Sequence, residues 1–519
     1  MFKKWNFNNV FASNPLQQLG KIAQLRPLKA ALFTGINAAI ALTTYYVNVY
    51  IPLPLNNAII YASASLSASV AGLLVAEYAR LIPFIIRRNV NKTKVRMGDI
   101  NNERGDKLLA KVSMHDDLPV VQLLVTDPYE QGQALARAMP EASIDAFNQY
   151  YNIISSMINV FHSLQRSIPF RNVKTIEYPE KDGGIKGYAE RQIKNFNFPN
   201  SVKQRYSGFV DEINKYIAEL NGRFVLQMDY LTLEGMLILM GTPDIFKMLA
   251  CSAHIVRLDK EMVLGRTLDW YGAGSVADHT VGIIYPVANE EKGKVKGWFS
   301  ISFAPGLPSL SGSNGYISVT LNEATTQITK NQFNGGLPML VMFGKIMEEC
   351  ASVDDIREFL ISNPPATSCI LTILGSDKSA IFQILPTPEY IDASEKFSII
   401  WLDTDSEKKY ISVTNHFLDR DGAPIPDTES WIDSHKRGCN QIVALEQNRP
   451  SADVLKCVNE AVTMHSMCFH SDREAKSIVL KLKFAHCYAA TAGTGCSINL
   501  TEILAKNEEL RRNERLFIS

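Results

Sequence analysis

No cysteine stands before position 251; all eight lie at or after it, at 251, 350, 369, 439, 457, 468, 487 and 496. No tight spacing among them suggests a disulfide framework or a zinc site. A chain cut just before Cys251 could not be tied together by a disulfide, and the pattern fits a reducing compartment. His465, Cys468 and His470 form only a loose cluster, which also reads as a partly buried helix with soft side chains; no metal and no cofactor are expected. A surplus of either charge is missing as well: 53 Lys and Arg stand against 53 Asp and Glu. With no basic domain and no basic stripe interleaved with aromatics, nucleic acid is excluded as a partner. No internal repeat is visible.

Charge is absent altogether from Ala30 to Ala76. Two apolar runs, 32–51 and 58–76, each approach the ~20 residues needed to cross a bilayer core. Between them Pro52, Pro54, Asn56 and Asn57 make a tight turn. Ala, Ser and Gly along the runs permit close helix approach in lipid. The segment 30–86 is expected to be a transmembrane helical hairpin. Lys3, Lys4, Lys21, Arg26 and Lys29 precede it, and Arg80, Arg87, Arg88, Lys92, Lys94 and Arg96 follow. These place both ends on the cytoplasmic side of a multi-pass, two-helix membrane protein. Asn37, Asn48 and several Ser and Thr leave a buried or peripheral helical pair as the competing reading. A secretory signal is disfavoured, because the preceding segment is too long and no cleavage site stands out.

The remaining boundaries follow from texture. Residues 1–29 are a cytoplasmic tail and the polar run 87–112 a linker. Residues 113–250 are expected to be mostly helical, with an apolar strand-like run at 119–125 and helices near 144–164 and 202–220. Asp127 caps and Pro128 opens a further helix within Pro128-Tyr129-Glu130-Gln131-Gly132. From 251 to 519 the chain reads as strands at 253–258, 281–285, 297–303, 316–321, 370–375, 380–385, 398–402 and 409–414. Helices are expected at 338–350, 353–361 and 454–464, with closing strands over 475–488 and 496–500. Runs of strands followed by helices indicate α+β layers.

Five features align in order. Cys251 follows an apolar helical stretch and opens a strand. Gly265-Arg266-Thr267-Leu268-Asp269 comes next, then Asn322-Glu323 at a strand end, then Thr414-Asn415 at another. Arg437 follows in Ser434-His435-Lys436-Arg437. An N-terminal cysteine can serve as nucleophile and base together. Its thiol, ordinarily near pKa ~8.5, can pass a proton to an α-amino group of pKa ~7.7–8.0. Taken singly, Cys251 reads as a core cysteine, and the other pairs read as polar turns.

Together these residues resemble the N-terminal-nucleophile (Ntn) cysteine hydrolases of the acid ceramidase, N-acylethanolamine acid amidase and choloylglycine hydrolase branch. The resemblance covers about 251–437. It implies an Ntn-hydrolase αββα sandwich, preceded here by a helical pro-segment and the hairpin. It implies a zymogen that cleaves autocatalytically between Ala250 and Cys251, giving a non-covalent α/β heterodimer. Animal acid ceramidases hold their subunits covalently, so this chain departs from them. By the same resemblance Cys251 is the nucleophile and Arg266 favours its thiolate. Asp269 holds the α-amino group, Glu323 takes part around the nucleophile, and Asn415 helps form the oxyanion hole. Arg437 is a late site arginine, and Asn322 a possible additional one. The implied activity is hydrolysis of the linear amide of an N-acylated lipid, with 299–315 either lining the acyl site or forming an ordinary strand and loop. Acyl transfer to an amine or alcohol is one alternative, slightly favoured by Pro-Tyr-Glu-x-Gly, which looks like the start of the pro-segment in penicillin acyltransferase relatives. A non-catalytic protein on the same fold is the other.

Overall fold

The computed structural model describes residues 95–147, 190–191, 193–220, 230–246, 249–270, 279–287, 294–324, 335–375, 378–384, 397–403, 408–418, 434–458, 463–472, 474–484 and 495–518. All belong to one of the two units into which the chain divides, formed by Thr93–Tyr150, Pro179–Cys487 and Thr491–Ser519.

Strands β1 (Gly98–Asn101), β2 (Leu108–His115) and β3 (Leu118–Leu123) form a meander. Three helices follow: α1 (Pro128–Ala138), α2 (Asn200–Leu220) and α3 (Leu233–Phe246). Then come β4 (Leu249–Arg257), β5 (Glu261–Trp270), β6 (Thr280–Pro286), β7 (Gly297–Phe303), β8 (Leu307–Ser313) and β9 (Ser318–Glu323). Helices α4 (Met339–Glu349) and α5 (Val353–Ser362) precede β10 (Cys369–Leu374), β11 (Lys378–Ile384), β12 (Phe397–Asp403) and β13 (Tyr410–Val413). The described chain closes with α6 (Ser434–Glu446), α7 (Ser451–Lys456), β14 (Thr463–Asp472), β15 (Ser477–Phe484), β16 (Gly495–Asn499) and α8 (Leu500–Ile518).

The strands form two sheets. One has ten strands in the order β1-β2-β3-β6-β7-β8-β9-β10-β11-β12, the other six in the order β13-β4-β5-β14-β15-β16. Period-two alternation aims one side of each sheet at a shared core. Ala253, Ile255, Met262 and Leu264 of the smaller sheet meet Phe299, Ile301, Ile370, Leu374 and Ile381 of the larger. On the far side of the larger sheet, Trp298 meets Phe343 of α4 edge-on, with ring centroids 6.2 Å apart. On the far side of the smaller sheet, α7 packs Leu455 against Val263 and Cys468. Beside it, α6 lays Ala444 and Leu445 near Val256 and Tyr410.

Helix α1 is built as its start predicts, with Asp127 accepting from Glu130 N–H at 2.9 Å and Pro128 in the first turn. It packs tightly on α2. A Cβ on Gly132 would lie 1.8 Å from Arg205 O, and one on Gly208 would lie 2.0 Å from Tyr129 O. Arg137 then clamps the nearly buried Glu212 through Nε at 3.0 Å and Nη2 at 3.1 Å.

Several expectations are corrected. Residues 87–112 are not simply a linker, because β1 and the start of β2 lie within them. Their polar run Asn102–Lys107 is the hairpin turn, in which Asn102 Oδ1 accepts from Asp106 N at 3.2 Å. The strand-like run at 119–125 forms β3, but the segment before Cys251 gives two further strands, β1 and β2, to the larger sheet, where β3 pairs in parallel with β6 through Val120–Gly282, Val121–Ile283 and Gln122–Ile284. The helix expected at 454–464 ends at Lys456, and β14 begins at Thr463. Of the helix expected at 144–164, residues 148–164 lie outside the described residues.

The membrane assignment is also corrected. Residues 30–86, where the hairpin was expected, lie outside the described residues. Among the described residues no helix is long and apolar enough to cross a membrane. The most apolar, α3, has 14 residues, short of the ~20 a span requires. The longest, α2, has 21 but carries Lys203, Arg205, Asp211, Glu212 and Lys215. A fold built on a transmembrane hairpin, and a multi-pass placement with a cytoplasmic catalytic domain, are therefore not supported. What stands is a mixed body of helices and two large sheets.

Candidate active site

Cys251 is the third residue of β4, not its first, and the strand runs unbroken through the Ala250–Cys251 peptide. Its side chain shares the core face with Ala253 and Ile255, so it is 0% exposed. Register sets Cys251 opposite Leu268 and Ala250 opposite Asp269 on β5. Arg266, two residues before Leu268, therefore lies on the same face as the thiol. Asp269, one residue after Leu268, lies on the opposite face.

Arg266 is entirely buried. Its Nη2 lies 3.3 Å from Cys251 Sγ and donates to Leu321 O at 2.9 Å. Its Nη1 donates to Leu310 O at 2.8 Å and to the Ser311 hydroxyl. An irregularity in β8 makes those acceptors available. The β7–β8 register shifts between Ile301 and Ser302, and Leu310 adopts a positive φ of 60°. A branched side chain at such a φ is unfavourable, and strain of this kind gathers at functional sites. The stretch 299–315 is thus mostly a buried hairpin of the sheet, and Leu310 and Ser311 within it anchor the arginine.

The backbone of Cys251 is held from another direction. Strand β13 pairs with β4 only as far as Val413–Ala253, so the ladder ends before Cys251. Side chains continue it. Cys251 N–H donates to Asn415 Oδ1 at 2.7 Å, and Arg437 Nη1 donates to Cys251 O at 2.7 Å. Arg437 also reaches Ser252 Oγ at 2.7 Å and Asn415 Oδ1 at 2.9 Å. It lies 3.9 Å from Asp269 Oδ2. Three contacts fix the Asn415 amide orientation: two donors meet its oxygen, and its Nδ2 donates to Glu323 O at 2.7 Å. Asn322 Nδ2 donates to Thr414 O at 3.0 Å and so links the two sheets.

The structure therefore gathers Arg266, Asp269, Asn322, Glu323, Asn415 and Arg437 around the backbone and side chain of Cys251. One N–H of the Asn415 amide donates to the Glu323 carbonyl, and its oxygen accepts from the Cys251 nitrogen. Glu323 approaches through its backbone carbonyl, while its side chain is buried at 1% exposure.

Two buried cations and two buried carboxylates share this small volume, a costly arrangement unless each charge is compensated. For the thiol, burial dominates and pushes its pKa up. The Arg266 charge and hydrogen bond and the Arg437 charge pull it down, Asp269 opposes them, and the net shift is upward. Burial thus favours the neutral thiol at Cys251 against what Arg266 contributes toward the thiolate.

Sequence reasoning missed a second layer. Ser252 and Ser311 had no motif around them, and Ser434 was read only as a neighbour of Arg437. His254, also unremarked, is buried on the Asp269 face, and burial pushes its pKa down to about 3. Its Nδ1 faces Gln441 Nε2 at 3.0 Å, so the amide donates and the ring proton rests on Nε2. A Cβ on Gly265 would lie 2.4 Å from the His254 ring, which accounts for the glycine before Arg266. Among the described residues no group of His, Cys, Asp and Glu is placed to hold a metal ion; Cys468 is buried against Val263 and Leu455, and His470 pairs with Glu261 at 3.0 Å. Compared with known proteins, the chain matches no protein-family model and no curated sequence.

Proposed function

We propose that this chain is the precursor of a self-cleaving cysteine amidase, with Cys251 as nucleophile in both reactions. One observation carries the reading. The nitrogen, carbonyl and sulfur of Cys251 are each held by a different buried side chain, Asn415, Arg437 and Arg266. An ordinary core cysteine needs none of these.

In the first reaction the Cys251 sulfur attacks the Ala250 carbonyl carbon. The C–N bond breaks, the thiol proton passes to the departing nitrogen, and a thioester joins Ala250 to Sγ. Water then cleaves the thioester, giving a carboxylate at Ala250, a free thiol and a free amine on Cys251. That amine would be the atom that Asn415 Oδ1 now holds. In the second reaction it takes the thiol proton, the thiolate attacks an external carboxamide, and the proton leaves with the amine product. Water resolves the second thioester to a carboxylic acid. Full burial of the thiol supports this order, because the internal carbonyl is the one adjacent to it before cleavage.

The substrate class is the linear amide of an N-acylated compound. N-acylethanolamines and ceramides are the first to assay, on the family resemblance alone. Acyl transfer loses its particular support. Pro128–Gly132 is accounted for by the capped start of α1 and its close approach to α2, and Tyr129 Oη donates to Asp211 at 2.7 Å.

Intact-mass measurement of the purified protein tests the reading. A C-terminal fragment beginning at Cys251 is expected from the wild-type chain and not from Cys251→Ala. A wild-type chain that stays whole from mildly acidic to alkaline pH overturns the proposal.

A further inference from the structure

Asn415 and Arg437 come from different elements, a loop beyond β13 and the helix α6. They nevertheless meet each other and hold the two backbone groups of Cys251, its N–H and its carbonyl. One hydroxyl joins the two elements. Ser434 Oγ, in the first turn of α6, accepts from Asn415 N–H at 3.0 Å. It lies 2.8 Å from both His416 Nδ1 and Thr414 Oγ1. Thr414 Oγ1 donates to Ser434 O at 3.0 Å, closing a ring of contacts. Ser434 and Thr414 are 0% exposed and His416 is 3% exposed, so water does not compete for these groups.

Thr414 Oγ1 donates to the Ser434 carbonyl and also lies 3.0 Å from His416 Nδ1. Whichever tautomer the ring takes, a lone pair of the Ser434 hydroxyl accepts from Asn415 N–H. The amide that this hydroxyl accepts from lies 19 residues upstream, outside the helix.

We propose, building on the amidase reading, that Ser434 is a positioning residue for the nucleophile. Its hydroxyl sets the Asn415 backbone against the helix that carries Arg437. The two side chains then hold the Cys251 peptide in register for attack on Ala250, and later hold the freed amine. Ser434 touches neither sulfur nor substrate and acts only through Asn415 and α6.

The test compares scission rates of wild-type, Ser434→Ala and Ser434→Thr chains by intact mass. Ser434→Ala is expected to cleave at least tenfold more slowly, with a melting midpoint close to wild type. Its rate of Cys251 alkylation should be unchanged, because Arg266 is untouched. In the cleaved form kcat should fall while KM holds. Ser434→Thr restores the hydroxyl and should cleave within threefold of wild type. Wild-type cleavage with an unaffected Ser434→Ala, or with Ser434→Thr as slow as Ser434→Ala, overturns the assignment and leaves the amidase reading standing. A wild-type chain that never cleaves overturns both. Should Ser434→Ala fail to fold, Thr414→Val removes two contacts to Ser434 at constant shape, and scission at the wild-type rate in that variant also overturns the assignment.

Discussion

The two faces of β4 and β5 treat the same cysteine differently. On the core face lie the thiol and Arg266, surrounded by aliphatic side chains and reaching neutral acceptors on β8 and β9. On the α6 face lie Asp269, Ser252, His254 and Gln441, with Arg437 crossing over to the Cys251 peptide. The core face carries the charge that acts most on the sulfur, Arg266, while the other face holds the backbone of Cys251 and reaches the thiol more weakly through Asp269 and Arg437. Arg266 and Asp269 stand three residues apart, and a strand's two-residue period must send them to opposite sides.

The largest effect expected is from Cys251→Ala, which removes the proposed nucleophile: no scission should be detectable by mass, and any cleavage at Ala250–Cys251 in that variant would end the comparison. Next comes Arg266→Met. An opposite charge at hydrogen-bonding distance shifts a pKa by roughly one to three units, so thiolate at fixed pH should fall about ten- to a thousandfold. Alkylation and scission should slow together. Arg437→Met should slow scission by about ten- to a hundredfold, as loss of a charged donor's hydrogen bonds worth ~1.5–3 kcal/mol does, with alkylation changed far less. Equal effects of both arginines on alkylation would erase the distinction between the faces.

A third measurement uses pH. Because the Cys251 pKa is raised, thiolate grows with each pH unit through the alkaline range. Scission should be at least about tenfold faster at pH 9 than at pH 7. Iodoacetamide should modify the exposed Cys439 well before Cys251. A scission rate that falls between pH 7 and 9 would contradict a neutral buried thiol.

The smallest effect concerns His254. Its folded pKa of about 3 lies below the ordinary ~6.5. Between those values the unfolded chain binds a proton that the folded chain refuses. Stability should therefore fall as pH drops from about 6.5 to about 3, by up to ~1.4 kcal/mol per unit. Urea titrations across that window should give a shallower pH slope for His254→Gln; an unchanged slope would show that another group carries the acid sensitivity.

The constellation was legible because its members are rare polar residues at strand ends, arranged in a recognisable order. What the sequence concealed was the role of each. That Asn415 also takes over a backbone partner's place beside Cys251, where its strand stops short, is a matter of register that the sequence does not carry. Ser434 was invisible, since one serine beside His435 and Lys436 carries no pattern. Strands β1 and β2 were hidden because their shared turn is rich in Asn, Asp, Glu and Lys, the composition of a linker. The start of β14 was taken for the end of a helix, since Thr463–Asp472 mixes polar and apolar residues in a central strand buried between β5 and β15. Upstream apolar content suggested a membrane hairpin, which no described helix supports.

The parallel pairing of β3 with β6 bears on the protein's history as a molecule. As one chain, the ten-stranded sheet assembles intramolecularly, and forming this pair costs loop-closure entropy that grows only slowly with loop length. Cutting the backbone between these strands leaves the sheet in place but removes the tether that allowed it to form. Renaturation would then be second order, dependent on concentration and slow against aggregation. Scission would thus act as a ratchet: the folded pair persists, and once separated it would not readily find its way back.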